Sequence, residues 1–311
     1  MTIGSAMGLV QTALELGLIS SLTVLSLFLS YTMLNVCDLS TDGCFTLGAS
    51  VGAVFAIAGH PYLAIVMAMV SGMCSGFITA FLQTKLGINS LLSGIIVNTG
   101  LYSINIAVMG NSSLLNMNTT VTVFTKMKDL LAKTPLAGQF KIIVAAIAVV
   151  CVIIFLSLFL RTRLGLAIRA TGNNPDMVRS SSINPAFTTT VGLCVSNSFT
   201  ALSGCLLAQS QKSVTVDIGS GMVTVALASL LIGGVFMGRR SIPLRAVGAM
   251  LGAFVFRLVY TIALRFNLPA FMLKLISSVI VVIAISGPYL KKEFPNIRRR
   301  WSARFGKGGA A

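Results

Sequence analysis

The sequence predicts an all-α polytopic membrane protein with about nine or ten transmembrane helices, some of them short or broken. Of its 311 residues, 55% are hydrophobic and only 10% are charged, and the mean hydropathy is +0.92. Soluble domains carry about 25% charged residues, so this chain has too few charges to cover a surface in water. The apolar residues form separate runs with basic gaps between them. We therefore treat 1–311 as a single transmembrane domain.

The predicted helices are the apolar runs that approach the length of a bilayer. A spanning helix needs about 20 mostly apolar residues. The runs of this kind lie near 9–34, 45–59, 62–83, 91–109, 142–160, 187–207, 222–237, 246–264 and 269–287. Two of them, 45–59 and 222–237, are short, and each follows a polar stretch that contains glycine. Nine spans place the N-terminus outside, whereas a tenth, broken helix within 9–59 would place it inside.

The basic residues predict which gaps face the cytoplasm. The net charge is +16, and Lys and Arg concentrate in the loop 161–184, the gap 239–245 and the tail 291–311. Basic residues favour the cytoplasmic side, so we expect all three there. The loop 110–138 then faces outward, although it carries Lys126, Lys128 and Lys133. This distribution follows membrane topology and argues against a nucleic-acid partner.

Aspartates occur in the two polar stretches that precede the short helices. Asp38 and Asp42 lie in 35–50, and Asp217 begins a similar plan in 216–235: an acid, a Gly/Ser turn, then a short helix rich in small residues. This similarity predicts an inverted repeat with the Asp38 break toward the cytoplasm and the Asp217 break toward the outside, and with the solute route at the repeat interface. Alternatively, the aspartates simply cap helix N-termini; the two roles are compatible.

Polar side chains within or between the runs are the candidates for a solute path. In lipid such groups need a partner or a water-filled cavity. The residues that we expect to line the path are Asp38, Ser40, Asp42, Asn98, Asn197 and Asp217. Mid-span acids are scarce, which disfavours the alternative of an ion-coupled secondary transporter. The sequence shows neither a nucleophile–base set nor a metal-ligand spacing, so we expect no enzyme, no cofactor and no metal site.

A short amphipathic helix is predicted in the cytoplasmic loop, at TGNNPDMVRSS. Asn173 or Asn174 can cap its N-terminus, Pro175 fits its first turn, and Asp176 opposes the positive end of the helix dipole. Such a helix outside the membrane indicates a docking partner.

The same helix carries two adjacent apolar residues, Met177 and Val178. We expect both to form an exposed knob for that partner. The chain has no GxxxxGK[ST] pattern, which is what cradles nucleotide phosphates. Energy for transport must therefore come from another subunit.

Three stretches together resemble the permeases of the branched-chain amino acid and ribose class of ABC importers. GLAIRATGNNPDMVRSSSIN (165–184) resembles their coupling-helix loop, with Ser182 where the ending Gly-Ile-Asn usually has glycine. CDLSTDGCFTLGA (37–49) is similar to the early motif of the class, and 227–253 is similar to its late Gly-Gly segment. The resemblance runs from about residue 35 to 290.

The resemblance implies a multi-pass protein of the bacterial inner membrane that works within a larger complex. It implies a second permease subunit, which can be identical or different and which we expect to be identical, two cytoplasmic ATPase subunits that hold ATP and Mg, and an extracellular or lipoprotein solute-binding protein. The Asp-Leu-Ser-Thr-Asp-Gly variant is similar to permeases for aromatic amino acids such as tryptophan. The residues implied in ATPase coupling are Arg169, Asn173, Asn174, Pro175, Asp176, Met177, Val178 and Arg179. The three lysines of the outer loop are expected to meet acidic residues of the binding protein.

Overall fold

The computed structural model describes residues 3–132, 137–237 and 241–264, together with positions 275, 278, 279, 281, 282 and 286. Most of the predicted segment 269–287, the tail 291–311 and part of the gap 239–245 therefore lie outside the described residues. The helices before the outer loop are α1 (Ile3–Leu27), a π-helix (Phe28–Met33), α2 (Thr41–Ile57), α3 (Pro61–Thr84) and α4 (Ser90–Val108). The later helices are α5 (Val123–Leu131), a 3-10 turn (Ala137–Gln139), α6 (Phe140–Phe159), α7 (Arg163–Asn173), α8 (Pro175–Ser180), α9 (Pro185–Gln211), α10 (Met222–Met237) and α11 (Ile242–Leu264).

The predicted apolar runs coincide with these helices, apart from the run 269–287. Among the described residues, six helices are long and apolar enough to cross a membrane. The two short apolar helices, α2 and α10, are those that the sequence predicts to be short. The all-α polytopic fold class is confirmed.

Helix α9 is the centre of the bundle. It is buried along most of its length, and α1, α2 and α3 pack around it. Its contact with α1 is polar: Ser196 and Ser26 share a hydrogen bond of 2.8 Å, and Thr200 Oγ1 donates to Ser26 Oγ at 2.7 Å. Hydroxyl contacts of this kind hold helices together in lipid, where apolar burial provides no driving force.

Small residues let α2 lie directly against α9. A side chain at Gly48 would overlap the backbone of Ala201. Such close backbone approach increases the van der Waals contact between membrane helices. Helix α2 begins beside the middle of α9, where Cys44 Sγ contacts Asn197 O at 3.3 Å. It therefore spans only the outer half of the bundle beside α9.

The start of α1 lies at the end of the molecule that carries the outer loop, because Gln11 Nε2 donates to Gly138 O at 3.1 Å. Helix α1 continues without interruption into the π-helix, and the chain breaks only after it. The break within 9–59 is therefore the irregular segment 34–40, which lies between α1 and α2. The start of α1 therefore lies on the same side of the membrane as the loop 110–138.

The elements follow an inverted order around the two breaks. Helix α1 precedes the first break and packs on α11, whereas α9 precedes the second break and packs on α3. The two breaks extend toward opposite ends of the bundle, as the predicted inverted repeat requires: the backbone of Met33 and Leu34 lies against Gly172 of the loop 161–184, whereas Ser213–Thr215 pairs with Leu114–Asn116 of the loop 110–138. The start of α10 hydrogen-bonds to the first turn of α2, so the two short helices begin side by side within the bundle.

The outer end contains elements that the hydropathy pattern does not predict. Strand β1 (Leu114–Asn116) pairs antiparallel with β2 (Ser213–Thr215), and α5 lies beside them in the loop 110–138. Gln209 Oε1 accepts the backbone N–H of Val123 at 3.0 Å, which ties the start of α5 to the end of α9. The described part of the outer loop therefore contains a strand and a helix that lie at the end of α9, and it is not an irregular connection.

Candidate functional site

A polar cavity of about 410 Å³ lies where the two breaks meet. Its walls come from the start of α2, the middle of α4 and the segment that leads into α10. The lining residues are Asp42, Gly43, Thr46, Asn98, Thr99, Tyr102, Ser103, Asn105, Val216, Asp217 and Ser220. Three of the six predicted path residues (Asp42, Asn98 and Asp217) are among them.

The Asp42 carboxylate joins the two broken helices. Its Oδ2 accepts the N–H of Gly221 at 2.9 Å and its Oδ1 accepts the N–H of Val223 at 2.8 Å. Asp42 therefore caps the N-terminus of α10 across the bundle and opposes its dipole. A side chain at Gly219 would overlap the backbone oxygen of Asp42, so this close approach requires glycine.

The cap of α10 is thus not the aspartate that precedes it in sequence. Asp217 is exposed toward the cavity, and its side chain makes no hydrogen bond to any residue in the described part of the chain. The alternative in which Asp217 caps its own helix is wrong. The other predicted lining residue, Asn98, is half-buried on α4.

Asn105 forms part of the inner wall and is not among the predicted path residues. It is 1% exposed, and its Nδ2 donates to Gly43 O at 3.2 Å. Its Oδ1 is buried and has no hydrogen-bond partner. A buried polar atom without a partner costs about 1–3 kcal/mol, which makes this oxygen a candidate for a bound molecule. The sequence feature that could have identified Asn105 is the presence of an asparagine inside an apolar run.

The other predicted path residues form a buried network behind this cavity. Asp38 Oδ1 accepts the N–H of Ser40 at 2.8 Å and its hydroxyl at 2.6 Å, and Asp38 Oδ2 accepts Asn197 Nδ2 at 2.8 Å. All three residues are at most 1% exposed, and none of them lines the cavity. The network ties the segment before α2 to the middle of α9.

A larger cavity, of about 530 Å³, lies between α3, α6 and α9. Its lining is almost entirely aliphatic, methionine and aromatic, including Met69, Met73 and Phe155. A polar solute would lose its hydration there without gaining hydrogen bonds. Of these two cavities, only the one at the helix breaks offers polar partners to such a solute.

Arg257 is a cation within an apolar helix and is not among the predicted site residues. It lies in α11, where its Nε donates to Ser20 Oγ at 2.9 Å and its guanidinium lies 5.7 Å from the ring centroid of Tyr260. Its Nη2 lies 4.0 Å from Met222 Sδ at the start of α10. The sequence feature that could have identified Arg257 is a single arginine within the run 246–264. Charged residues within spans are costly and often mark functional positions.

The loop 161–184 contains two helices, α7 and α8, where the sequence predicts one. Asn174 is the cap: its Oδ1 accepts the N–H groups of Asp176 and Met177, each at 3.1 Å. Asn173 is the last residue of α7, and Pro175 is the first of α8. The predicted helix and its cap are thus present, over a shorter range.

The apolar knob on α8 consists of one residue. Met177 is 66% exposed, but Val178 is 3% exposed and belongs to the core. The expectation that both residues project outward is therefore wrong, because adjacent residues of a helix point about 100° apart and only one of the two faces away from the core. Asp176 and Arg179 are exposed beside Met177, and Arg169 is half-buried on α7.

The basic residues of the outer loop lie on α5. Lys126 and Lys128 are exposed, and Lys126 Nζ lies 4.8 Å from the ring centroid of Tyr62. Lys133 lies outside the described residues. Within the described ranges, no group of three or more His, Cys, Asp or Glu residues is placed to hold a metal ion.

The comparisons with known proteins agree with this architecture. The family described as "Branched-chain amino acid transport system / permease component" matches residues 9–285. The chain is 33% identical over 267 residues to a tyrosine transport system permease protein of Clostridioides difficile (strain R20291), covering 85% of this chain and 86% of that protein. It is 30% identical to an uncharacterized protein of Rickettsia prowazekii (strain Madrid E), covering 90% and 98%.

A more distant relative is named for a different cargo. The chain is 25% identical to a fructose import permease protein of Bifidobacterium longum (strain NCC 2705), covering 84% of this chain and 75% of that protein. No solved structure matches the chain. Since the family covers nearly the whole chain, including both helix breaks and the loop 161–184, this protein belongs to the permease components of branched-chain amino acid-type ABC importers.

Proposed function

We propose that this permease carries an amino acid, of the aromatic kind, into the bacterial cell through the cavity at the helix breaks. The observation that carries the proposal is this polar cavity between two discontinuous helices in a chain of the importer family. Broken helices in transporters provide free helix ends and backbone groups at the solute site. The tyrosine permease relative supports an amino acid over a sugar.

The route would involve the cavity residues and not the buried network behind them. Asp42, Asn98 and Asp217 present polar atoms to the cavity, and Tyr102 adds a ring beside them. Asp38, Ser40 and Asn197 would then fix the position of α2 against α9. In this proposal only the first group contacts the solute.

The free energy for transport would come from ATP hydrolysis by two ATPase subunits. These would dock on the loop 161–184 of two identical permease subunits. Met177 is the residue best placed to enter an apolar pocket of an ATPase, because it projects from the capped helix α8. The residues Asp176 and Arg179 would flank this contact, and Arg169 would support it from α7. Val178 would transmit a movement of α8 to the rest of the permease, since its side chain is packed in the core. An external binding protein would deliver the cargo over Lys126 and Lys128.

The test is uptake by the complete complex, with ATPase and binding protein from the same transport system, in proteoliposomes. We expect ATP-dependent uptake of L-tyrosine or L-tryptophan, and none of D-fructose. Uptake driven by a proton or sodium gradient without the ATPase would instead support a secondary transporter. Accumulation of fructose in place of the amino acids would contradict the proposed cargo.

The coupling role is tested separately with Met177→Glu, which places a charge in the proposed ATPase contact. We expect at least roughly tenfold less uptake per ATP hydrolysed, because burying an unpaired charge is strongly unfavourable. Leu166→Glu is the matched control, since Leu166 is an exposed apolar residue of the same loop but lies on α7 and is not among the implied coupling residues. Equal coupling in Met177→Glu and the control would remove α8 from the mechanism.

A further inference from the structure

We infer that the cavity at the helix breaks binds the ammonium group of its solute, with Asp217 and Asn105 as the acceptors. This inference rests on the proposed route through the cavity and adds the chemical group that the route selects. It excludes anions and disfavours uncharged sugars.

The first argument is the balance of charge around the cavity. Each helix N-terminus contributes about half a positive charge, and two such ends, those of α2 and α10, meet here. Both oxygens of Asp42 accept N–H groups of α10, and both oxygens of Asp38 accept donors beside α2. The carboxylate of Asp42 is therefore occupied by the start of α10, and that of Asp38 is occupied by Ser40, the residue before α2, and by Asn197.

Arg257 is the one further positive group that contacts the start of α10 within the described ranges, through Met222. It does not line the cavity, and none of the described lining residues is Lys or Arg. Within the described ranges, the guanidinium of Arg257 contacts Ser20, Met222 and Tyr260 and not Asp217. The carboxylate without a partner is that of Asp217, which is exposed to the cavity.

The second argument is independent of charge and concerns Asn105. Its amide nitrogen must face Gly43 O, because a carbonyl oxygen can only accept, and the distance of 3.2 Å fits this hydrogen bond. The amide oxygen therefore has no choice of orientation and remains buried without a partner. A group that donates hydrogen bonds would satisfy it.

An ammonium group matches both features at once. It carries three N–H donors and one positive charge, so it can pair with Asp217 and also donate to Asn105 Oδ1. A sugar hydroxyl could donate to either oxygen but would leave the charge of Asp217 unbalanced. A carboxylate would add acceptor to acceptor and would be repelled.

The test measures the charge preference of the cavity without knowledge of the cargo. Ser103 is exposed on α4 and lines the cavity, so Ser103→Cys introduces a thiol there. The variant is made in a Cys74→Ala/Cys151→Ala background, which removes two exposed thiols, and the rate of the parent is subtracted. Right-side-out membrane vesicles are labelled with two methanethiosulfonates of similar size, one bearing trimethylammonium and one bearing sulfonate.

The control site is Ser113→Cys, which is exposed in the outer loop but not in the cavity. We expect the ratio of cationic to anionic labelling rates at position 103 to exceed that at position 113 by roughly tenfold. The change Asp217→Asn should bring the two ratios close together. Tyramine should slow labelling at position 103, whereas 4-hydroxyphenylacetate, of similar shape but opposite charge, should not. Asn105→Leu should weaken the effect of tyramine.

The outcomes separate this inference from the proposed route. If neither reagent reaches position 103, the route through this cavity is wrong. If the ratio of cationic to anionic labelling rates at position 103 equals that at position 113, the cavity is accessible and the route stands, but the ammonium site is wrong. Protection by sodium ions at constant ionic strength, without protection by tyramine, would assign the site to an inorganic cation and overturn the inference.

Discussion

The carboxylate of Asp42 in the first turn of α2 accepts the backbone N–H of Val223 in α10, 181 residues further along the chain, at 2.8 Å. With the bond to Gly221 N, both carboxylate oxygens are used on one helix end. One residue of the first half of the chain thereby fixes where a helix of the second half begins. The two halves of the chain can move apart at this point only if the two hydrogen bonds of Asp42 break.

The first prediction is that removing this cap destabilises the protein. Asp42→Ala should lower the free energy of unfolding by about 1–2 kcal/mol, the value of a lost N-cap. Asp42→Asn should fall between wild type and Asp42→Ala, because the amide retains one acceptor for the two N–H groups. The measurement is the thermal unfolding midpoint of the purified protein in detergent.

The control for this prediction is Asp129→Ala, which removes an exposed carboxylate on α5. Its unfolding midpoint should match that of the wild type within error. A midpoint for Asp42→Ala as high as that of the control would mean that α10 begins at Met222 without help from α2.

The second prediction concerns the buried pair Asp38 and Asn197, joined at 2.8 Å. Asp38→Ala and Asn197→Ala should each cost about 1–3 kcal/mol, since each leaves a buried polar group without its partner. Asp38→Asn should be mild. Asn197 Oδ1 has no hydrogen-bond partner, so the Asn197 amide can turn over and accept from the new amide nitrogen.

A double-mutant cycle on the same pair is the check. The cost of Asp38→Ala/Asn197→Ala should be smaller than the sum of the single costs, because the second change removes no further bond between the pair. Additive costs, or an Asp38→Asn variant as unstable as Asp38→Ala, would show that this hydrogen bond contributes nothing to stability.

The sequence predicts the spans well because the bilayer imposes a length and a composition on each helix. It also predicts the capped helix α8, since the cap, proline and acid of Asn174-Pro175-Asp176 act within one turn. The meeting of the breaks could not be predicted in the same way. The cap of α10 comes from Asp42, and no local pattern distinguishes it from Asp217, which is only a few residues from α10.

The sequence also does not predict which of two similar neighbouring residues is buried. Val178 and Met177 are both apolar and adjacent, and a six-residue helix is too short for a periodic pattern to show which one is buried. Asn105 and Asn98 are both amides within one apolar run of α4, yet Asn105 is 1% exposed whereas Asn98 is half-buried in the cavity wall. Packing between helices, and not composition, decides these cases.

The third prediction separates stability from coupling within α8. Val178→Ala should lower the unfolding midpoint, because it leaves a space in the core at a residue that is 3% exposed; the cost should be about 1–2 kcal/mol. Met177→Ala should leave the midpoint unchanged, since that side chain is 66% exposed, but should reduce ATPase activity stimulated by the binding protein. Both quantities are measured on the same preparations of the complex. A loss of stability in Met177→Ala equal to that in Val178→Ala would contradict the assignment of these two faces.

The fourth prediction compares two glycines in membrane helices that differ only in what lies beside them. Gly48 is where α2 meets α9, and a side chain there would overlap the backbone of Ala201. Since backbone cannot move aside as a flexible side chain does, Gly48→Ala should force α2 away from α9 and cost about 1–3 kcal/mol. Gly100 on α4 has open space around it, so Gly100→Ala should be neutral or stabilise the helix by up to about 1 kcal/mol. Thermal unfolding of both variants in the same detergent provides the comparison. Equal midpoints would mean that α2 can shift against α9 at little cost, and the contact between the outer half-helix and the central helix would then be a sliding surface and not a fixed one.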